Sequence, residues 1–446
     1  MRPHVPPHGA RRRLYATAGI GVPLALCGLL VFALVWRETG GDGFWLGLAL
    51  AALPVPFLVG VFRWMDGVSP KPWRQLTFAF AWGACAATLV ALVVNGLLVQ
   101  LLTGEQALLA PARSAPLSSL ELTVIAPVVE EAAKATAVLL LFLHRPHAFD
   151  GVLAGIATAG ITATGFAFTE NVLYLGSAVN QDRLTAAGTP GDGAGVDTAT
   201  LGTFFVRVLL APFAHPVFTA LTGVGLGVAA ALARRRRVWR AVLPPLGLAA
   251  AMGLHSAWNA STSLPFLGFA AVYVLLMMPV FGLLCWLAIW TRQGELRAAR
   301  DTLPQYARAG WFGAAEPAAL GSTRVRALAR RQARKDHGWA GVRAVAGYQS
   351  AATSLAVLRR RVERHGTADP DFPAREHALL TRLWLLRPVA APALATAAAQ
   401  AAALTATTAH DWDDPDEVDE ADEATDGTDE GAREPDRSGD RTDSAA

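Results

Sequence analysis

Eight apolar runs, each long enough to cross a bilayer as a helix, fill most of the first 291 residues of this chain. They cover residues 14–36, 44–62, 76–102, 117–143, 150–178, 202–233, 240–262 and 266–291. A helix needs roughly 20 residues to cross a hydrocarbon core about 30 Å thick. Backbone polar groups in lipid must be satisfied within the segment, so runs of this length form helices there. The first run follows Arg11, Arg12 and Arg13 and is too long for the apolar part of a signal peptide, so it reads as a retained span. Only 17% of the 446 residues are charged, against about 25% in soluble domains. The expected fold is all-α: a polytopic bundle of about eight transmembrane helices with a helical and partly disordered C-terminal region.

The connecting segments orient the bundle. Arg2 and Arg11–Arg13, then Arg63, Lys71 and Arg74, then Arg145, then Arg234–Arg237 and Arg240 fall on one side, together with an Arg-rich region after residue 291. The alternate loops carry Arg37, Arg113 or Arg183 singly, or no basic residue. Basic residues stay cytoplasmic, so both termini are expected inside, with the cell membrane as the location. The expected organisation is a basic N-terminus (1–13), a transmembrane domain (14–291), a cytoplasmic Ala/Arg-rich helical region (292–404) and an acidic, disordered tail (405–446). Within the third region, 322–336 and 374–402 read as helices. A Gly- and Asp-rich stretch (GTPGDGAGVD) marks 179–201 as an external loop.

From Asp411 onward there are 16 acidic and 3 basic residues, which leaves 36 basic against 20 acidic elsewhere. That basicity lies beside the spans, so it points to anionic lipid headgroups and not to nucleic acid. Cys27, Cys85 and Cys285 all lie inside apolar runs, far apart in sequence. They read as packing residues and exclude a disulfide framework.

Ionisable residues inside four consecutive runs break the apolar pattern. A charge at the centre of a span costs about 2.5–3.5 kcal/mol on insertion scales and persists where it pairs, faces a cavity or does chemistry. The fourth run holds Glu130, Glu131 and Lys134 (VVEEAAKA), the fifth Glu170 and Asn171 after Phe166 (GFAFTEN). The sixth holds His215 between Pro212 and Pro216, with Thr219 one turn on, and the seventh holds His255 and Asn259 (HSAWN). Prolines at those two positions should open the helix hydrogen-bond ladder around His215. At a rise of about 1.5 Å per residue, Glu130, His215 and His255 reach similar depth, whereas Glu170 comes out shallower, toward the outer leaflet. The bland alternatives are a buried ion pair at Glu130–Lys134, a helix-end Glu170 and packing histidines.

A carboxylate beside a histidine can deprotonate water, and a second histidine with an amide can stabilise an oxyanion. Two histidines and a carboxylate (His215, His255 and Glu131) can instead hold Zn²⁺. No H-E-x-x-H string is present, and the two chemistries stay open. A proton-coupled transporter would use the same residue types, but the ionisable cluster has no counterpart in the first three runs. A non-catalytic scaffold acting through its tail is the third reading.

The ordered set EEAAK, FAFTEN, His215 and HSAWN resembles the PrsW family of intramembrane proteases, within the superfamily that includes the CAAX prenyl proteases. The likeness covers roughly residues 14–291 and is most specific over 117–262. It implies an endopeptidase acting on membrane-anchored proteins, an anti-sigma factor among them. By the resemblance, Glu130, Glu131, Glu170, His215, His255 and Asn259 are the catalytic set, supported by Lys134, Phe166 and Asn171. His255 and Asn259 match the final H-x-x-x-N, the oxyanion site. Glu130 or Glu131 would be the general base, Glu170 and His215 would position the water, and zinc is the only cofactor in prospect.

Overall fold

The computed structural model describes residues 8–68, 71–103, 120–144, 149, 151–188, 198–233, 235–365 and 371–410. The acidic tail beyond residue 410, Arg113 and Arg145 lie outside them. The described residues form fourteen α-helices and no strand: α1 (His8–Ala52), α2 (Pro54–Met65), α3 (Trp73–Ala81), α4 (Thr88–Thr103), α5 (Ala126–His144), α6 (Val152–Gly188), α7 (Thr198–Phe204), α8 (Ala214–Ala231), α9 (Arg237–Ser261), α10 (Phe266–Val272), α11 (Met278–Arg308), α12 (Glu316–Leu320), α13 (Thr323–His365) and α14 (Phe372–His410).

Two of these are hairpins. Gly40 interrupts α1 with φ 65° and ψ 173°, a conformation that essentially only glycine adopts. Phe32 and Phe44 stack edge-on at 5.0 Å, whereas twelve residues of straight helix would separate them by about 18 Å. The chain therefore folds back at Gly40, and the 14–36 and 44–62 runs are its two arms. Gly338 does the same in α13 (φ 59°, ψ −150°). There Arg326 Nη1 donates to Thr353 Oγ1 at 3.0 Å, across 27 positions that would span about 40 Å of straight helix.

By length and composition, six stretches can cross a membrane: Gly19–Val68, Trp73–Leu98, Val152–Ala186, Thr198–Ala231, Phe266–Arg308 and Phe372–Leu404. This differs from the eight expected runs in identifiable ways. Gly19–Val68 contains two of them, joined through Gly40. α5 carries Glu130, Glu131 and Lys134, and α9 carries Pro244, Pro245, His255 and Asn259. Their polar residues keep both out of the apolar set. Phe372–Leu404 enters it although its position after the Arg-rich segment reads as cytoplasmic.

α6 is the central column. Its apolar stretch is 89% buried, against 11% for Gly19–Val68. It packs along α1 on one flank and α8 on another, with α5 wedged against α6, α8 and α9. Small residues permit this approach: a Cβ on Gly155 would meet the Gly223 carbonyl at 1.9 Å, and one on Gly83 would meet the Thr162 carbonyl at 1.9 Å. α6 runs ten residues past the expected end of its span, so the first half of the expected 179–201 loop is helix. α11 continues from the membrane region to Arg308, where Leu303 and Tyr306 enter a second core with Tyr348, Leu355, Leu383 and Leu394 of α13 and α14.

Candidate active site

The ionisable residues of α5, α6, α8 and α9 converge. Lys134 is fully buried and sits at the middle. Its Nζ donates to Glu131 Oε1 at 2.9 Å and Glu130 Oε2 at 3.3 Å, and lies 3.1 Å from His215 Nδ1. Its ammonium also rests 3.9 Å above the Phe166 ring, a cation–π contact that lowers the cost of a buried charge.

Neighbouring glutamates on α5 have different surroundings. Both Glu131 oxygens are committed: Oε1 to Lys134 and to His255 Nδ1 at 3.2 Å, Oε2 to the Thr219 hydroxyl at 2.7 Å. Glu130 contacts Lys134 through one oxygen, and that oxygen lies 3.9 Å from His255 Nε2. His255 thus faces Glu131 through Nδ1 and Glu130 through Nε2. Phe218 stacks on the His255 ring at 4.7 Å and fixes its plane.

Glu170 belongs to the same cluster, which corrects the shallow depth expected for it. Its Oε2 lies 2.6 Å from His215 Nε2, although off the ring N–H direction, so that this buried oxygen accepts no aligned hydrogen bond. Because α6 continues to Gly188, Glu170 is near the middle of its helix. Arg207, which no motif had marked, pairs with Glu170 Oε1 at 3.1 Å. Asn171 faces Arg207 at 3.5 Å through Oδ1.

Side-chain exposure gives the cluster an inside and an outside. Glu131 and Lys134 are 0% exposed and His255 2%, whereas Glu130, His215, Glu170 and Arg207 are 10, 12, 15 and 21% exposed. The last four form the reachable face. Three carboxylates against Lys134 and Arg207 leave one negative charge, which a proton or a bound cation would balance.

Irregular backbone builds this arrangement. The chain breaks at Ala211 (φ −131°, ψ 45°) and restarts as α8 at Ala214, which puts His215 in the first turn, where amides lack helical partners anyway. Pro212 thus breaks the helix, while Pro216 is absorbed by α8 without a second break. Widened π-turns occur at Trp82–Ala87, Glu121–Ile125, Phe205–Leu210 and Tyr273–Met277. Carbonyls loosened by such turns need donors in lipid. Thr169 donates to Ala84 O at 2.9 Å, Asn259 to Leu122 O at 3.0 Å and Tyr273 to Leu210 O at 2.9 Å. Asn259 is therefore tied to the turn that leads into α5.

Glu130, His215 and His255 each offer one ligand atom, all within 4.8 Å of one another. That is the His₂Glu set of catalytic zinc sites, whose ligands at about 2.1 Å from one ion in tetrahedral geometry stand about 3.4 Å apart. Side-chain movements that bring the atoms closer by up to about 1.4 Å would close the trio on an ion, so donor type and burial fit a metal. Glu131, the carboxylate expected in this set, is replaced by Glu130 because its own oxygens are occupied.

Residues 71–284 match the family described as PrsW family intramembrane metalloprotease. Comparison with curated proteins and with solved structures gives no match.

Proposed function

Since residues 71–284 belong to the PrsW family of intramembrane metalloproteases, and the chain is accordingly a multi-pass membrane peptidase, we propose that Glu130 is the general base activating water on the reachable face of the cluster. The substrate is a membrane-embedded protein, in this reading a membrane-anchored regulator such as an anti-sigma factor. The chain crosses the plasma membrane eight times, with both termini cytoplasmic. α1 and α2 together supply two crossings through the Gly40 reversal, and α14 lies on the cytoplasmic side with α13.

The observation that carries the assignment is the contrast between adjacent carboxylates. A base needs an uncommitted oxygen and access to water. Glu130 has both, whereas Glu131 is sealed and holds three donors. Glu130 takes a proton from water as its oxygen attacks the scissile carbonyl, and that proton then moves to the amine as the C–N bond breaks. Glu131 and Thr219 orient His255, whose Nε2 lone pair can carry the proton between Glu130 and the leaving nitrogen, as in a carboxylate–histidine pair. His215 Nε2–H, polarised through Lys134 at Nδ1, donates to the developing oxyanion. In this scheme Asn259 acts through the α5 backbone and not on the carbonyl, and Phe166 and Lys134 keep the interior charged and aligned. Were a metal bound, Glu130, His215 and His255 would hold it in place of those acid–base roles, and it would polarise the carbonyl and acidify water.

The assignment is tested in cells that carry a tagged membrane-anchored substrate. Glu130→Gln should reduce release of the soluble fragment by about 10²–10⁴-fold, the usual weight of a general base, at unchanged protein level. Release at the wild-type rate by both Glu130→Gln and Glu131→Gln would remove the cluster from the chemistry.

A further inference from the structure

Arg207 stands outside every motif that points to the site, yet its guanidinium is clamped by a single turn of α6. Nη2 pairs with Glu170 Oε1 at 3.1 Å, Nη1 faces Asn171 Oδ1 at 3.5 Å, and the guanidinium carbon lies 3.8 Å above the Tyr174 ring. The residue rides on the π-turn Phe205–Leu210, four positions before the Ala211 break. π-turns widen a helix locally and occur frequently at functional sites.

A carboxylate pinned through one oxygen can no longer rotate freely about its terminal torsion. Arg207 takes Glu170 Oε1, and Oε2 is thereby left buried, without an aligned donor, 2.6 Å from His215 Nε2. Glu170 without its Arg207 partner would be drawn toward the Lys134 ammonium or toward protonation.

We propose that Arg207 is a positioning residue of the hydrolytic site: it locks Glu170 so that Oε2 faces His215 and the water to be activated, without itself touching substrate. The inference rests on the reading of the cluster as hydrolytic. A purely structural Arg207, joining α7 to α6, would govern stability and leave turnover intact.

The test uses the full chain in detergent micelles with a membrane-anchored reporter peptide, following kcat, KM and thermal unfolding for Arg207→Gln, Arg207→Lys, Glu170→Gln and the Arg207→Gln/Glu170→Gln pair. Arg207→Gln should lower kcat about 100-fold, on the scale of a lost acid–base contribution, with KM changed by less than about threefold. Arg207→Lys, which keeps the charge but loses the fork, should recover about tenfold of that loss. The double variant should turn over no slower than Glu170→Gln alone, because residues acting through one group are not additive. If Arg207→Gln does not accumulate, Arg207→Lys in the wild-type and Glu170→Gln backgrounds gives the same cycle. Unchanged kcat, a loss confined to KM, or multiplicative losses in the cycle would overturn the inference. Wild-type turnover by Glu130→Gln and Glu131→Gln would instead overturn the hydrolytic reading beneath it.

Discussion

Glu130 and Glu131 are consecutive, chemically identical and about 100° apart around α5. Both meet Lys134, and what separates them is that Thr219 and His255, 88 and 124 positions beyond Glu131, close on Glu131. The sequence therefore shows that two carboxylates are buried but cannot say which stays free. The same limit applies to Arg207. Basic residues near span ends read as topology markers, and nothing local says that this one turns inward to Glu170. Thr219 was visible one turn after His215, yet its role depends on a 2.7 Å bond to another helix. Thr219→Val keeps the shape and removes the donor, leaving Glu131 Oε2 buried without it, at a cost of about 1–3 kcal/mol. A steady-state assay should show kcat down about tenfold, with Thr219→Ser close to wild type. A silent Thr219→Val would mean that Glu131 does not need this bond to hold His255.

At the scale of elements, apolar run length located the helices over most of their course, because hydrophobicity alone decides what enters lipid. The break at Pro212 was legible from the proline itself, since a missing amide is a local property, whereas Pro216 sits inside α8. Two features escaped run length. The continuation of α6 into a polar stretch made Glu170 look like a helix-end residue. The π-turns depend on donors from other helices, such as Asn259 reaching Leu122. The reversal at Gly40 falls in the gap between the first two runs, where a connecting loop is expected, and glycine supplies its backbone conformation. The last gives a prediction. Alanine at Gly40 must adopt φ 65° at a cost of about 1–3 kcal/mol, so Gly40→Ala should unfold several degrees lower in detergent while the His255 environment stays intact. Equal unfolding temperatures for the two proteins would show that the reversal is not fixed by this residue.

Across the whole molecule, the region after α11 is latched onto the loop between α2 and α3. Arg326 is buried and donates to Val68 O at 2.7 Å, to Leu320 O at 3.1 Å and to Thr353 at 3.0 Å. Burial and the neighbouring Arg330 lower its proton affinity, so its charge is held at a cost that the surrounding carbonyls offset. Arg292 donates to Trp64 O at 2.6 Å in the last turn of α2. Arg326→Ala removes one anchor, and limited proteolysis of the full chain should then release residues beyond α11 faster than in wild type. An unchanged cleavage rate would show that the packing of α11 against α13 suffices. Helical stretches at 322–336 and 374–402 were legible from the Ala/Arg-rich composition, but the hairpin at Gly338 and the latch were not, because both are set by long-range contacts.

The account as a whole requires that the buried carboxylates and histidines perform hydrolysis. Its most direct test is the purified full chain in lipid vesicles with a membrane-anchored peptide in H₂¹⁸O, read by mass spectrometry of the fragments. One ¹⁸O atom in the new C-terminal carboxylate with wild-type protein, and no fragment above background with Glu130→Gln, is the predicted result. Equal fragment yield from the two proteins, or an intact peptide while the wild-type vesicles exchange protons, would contradict it.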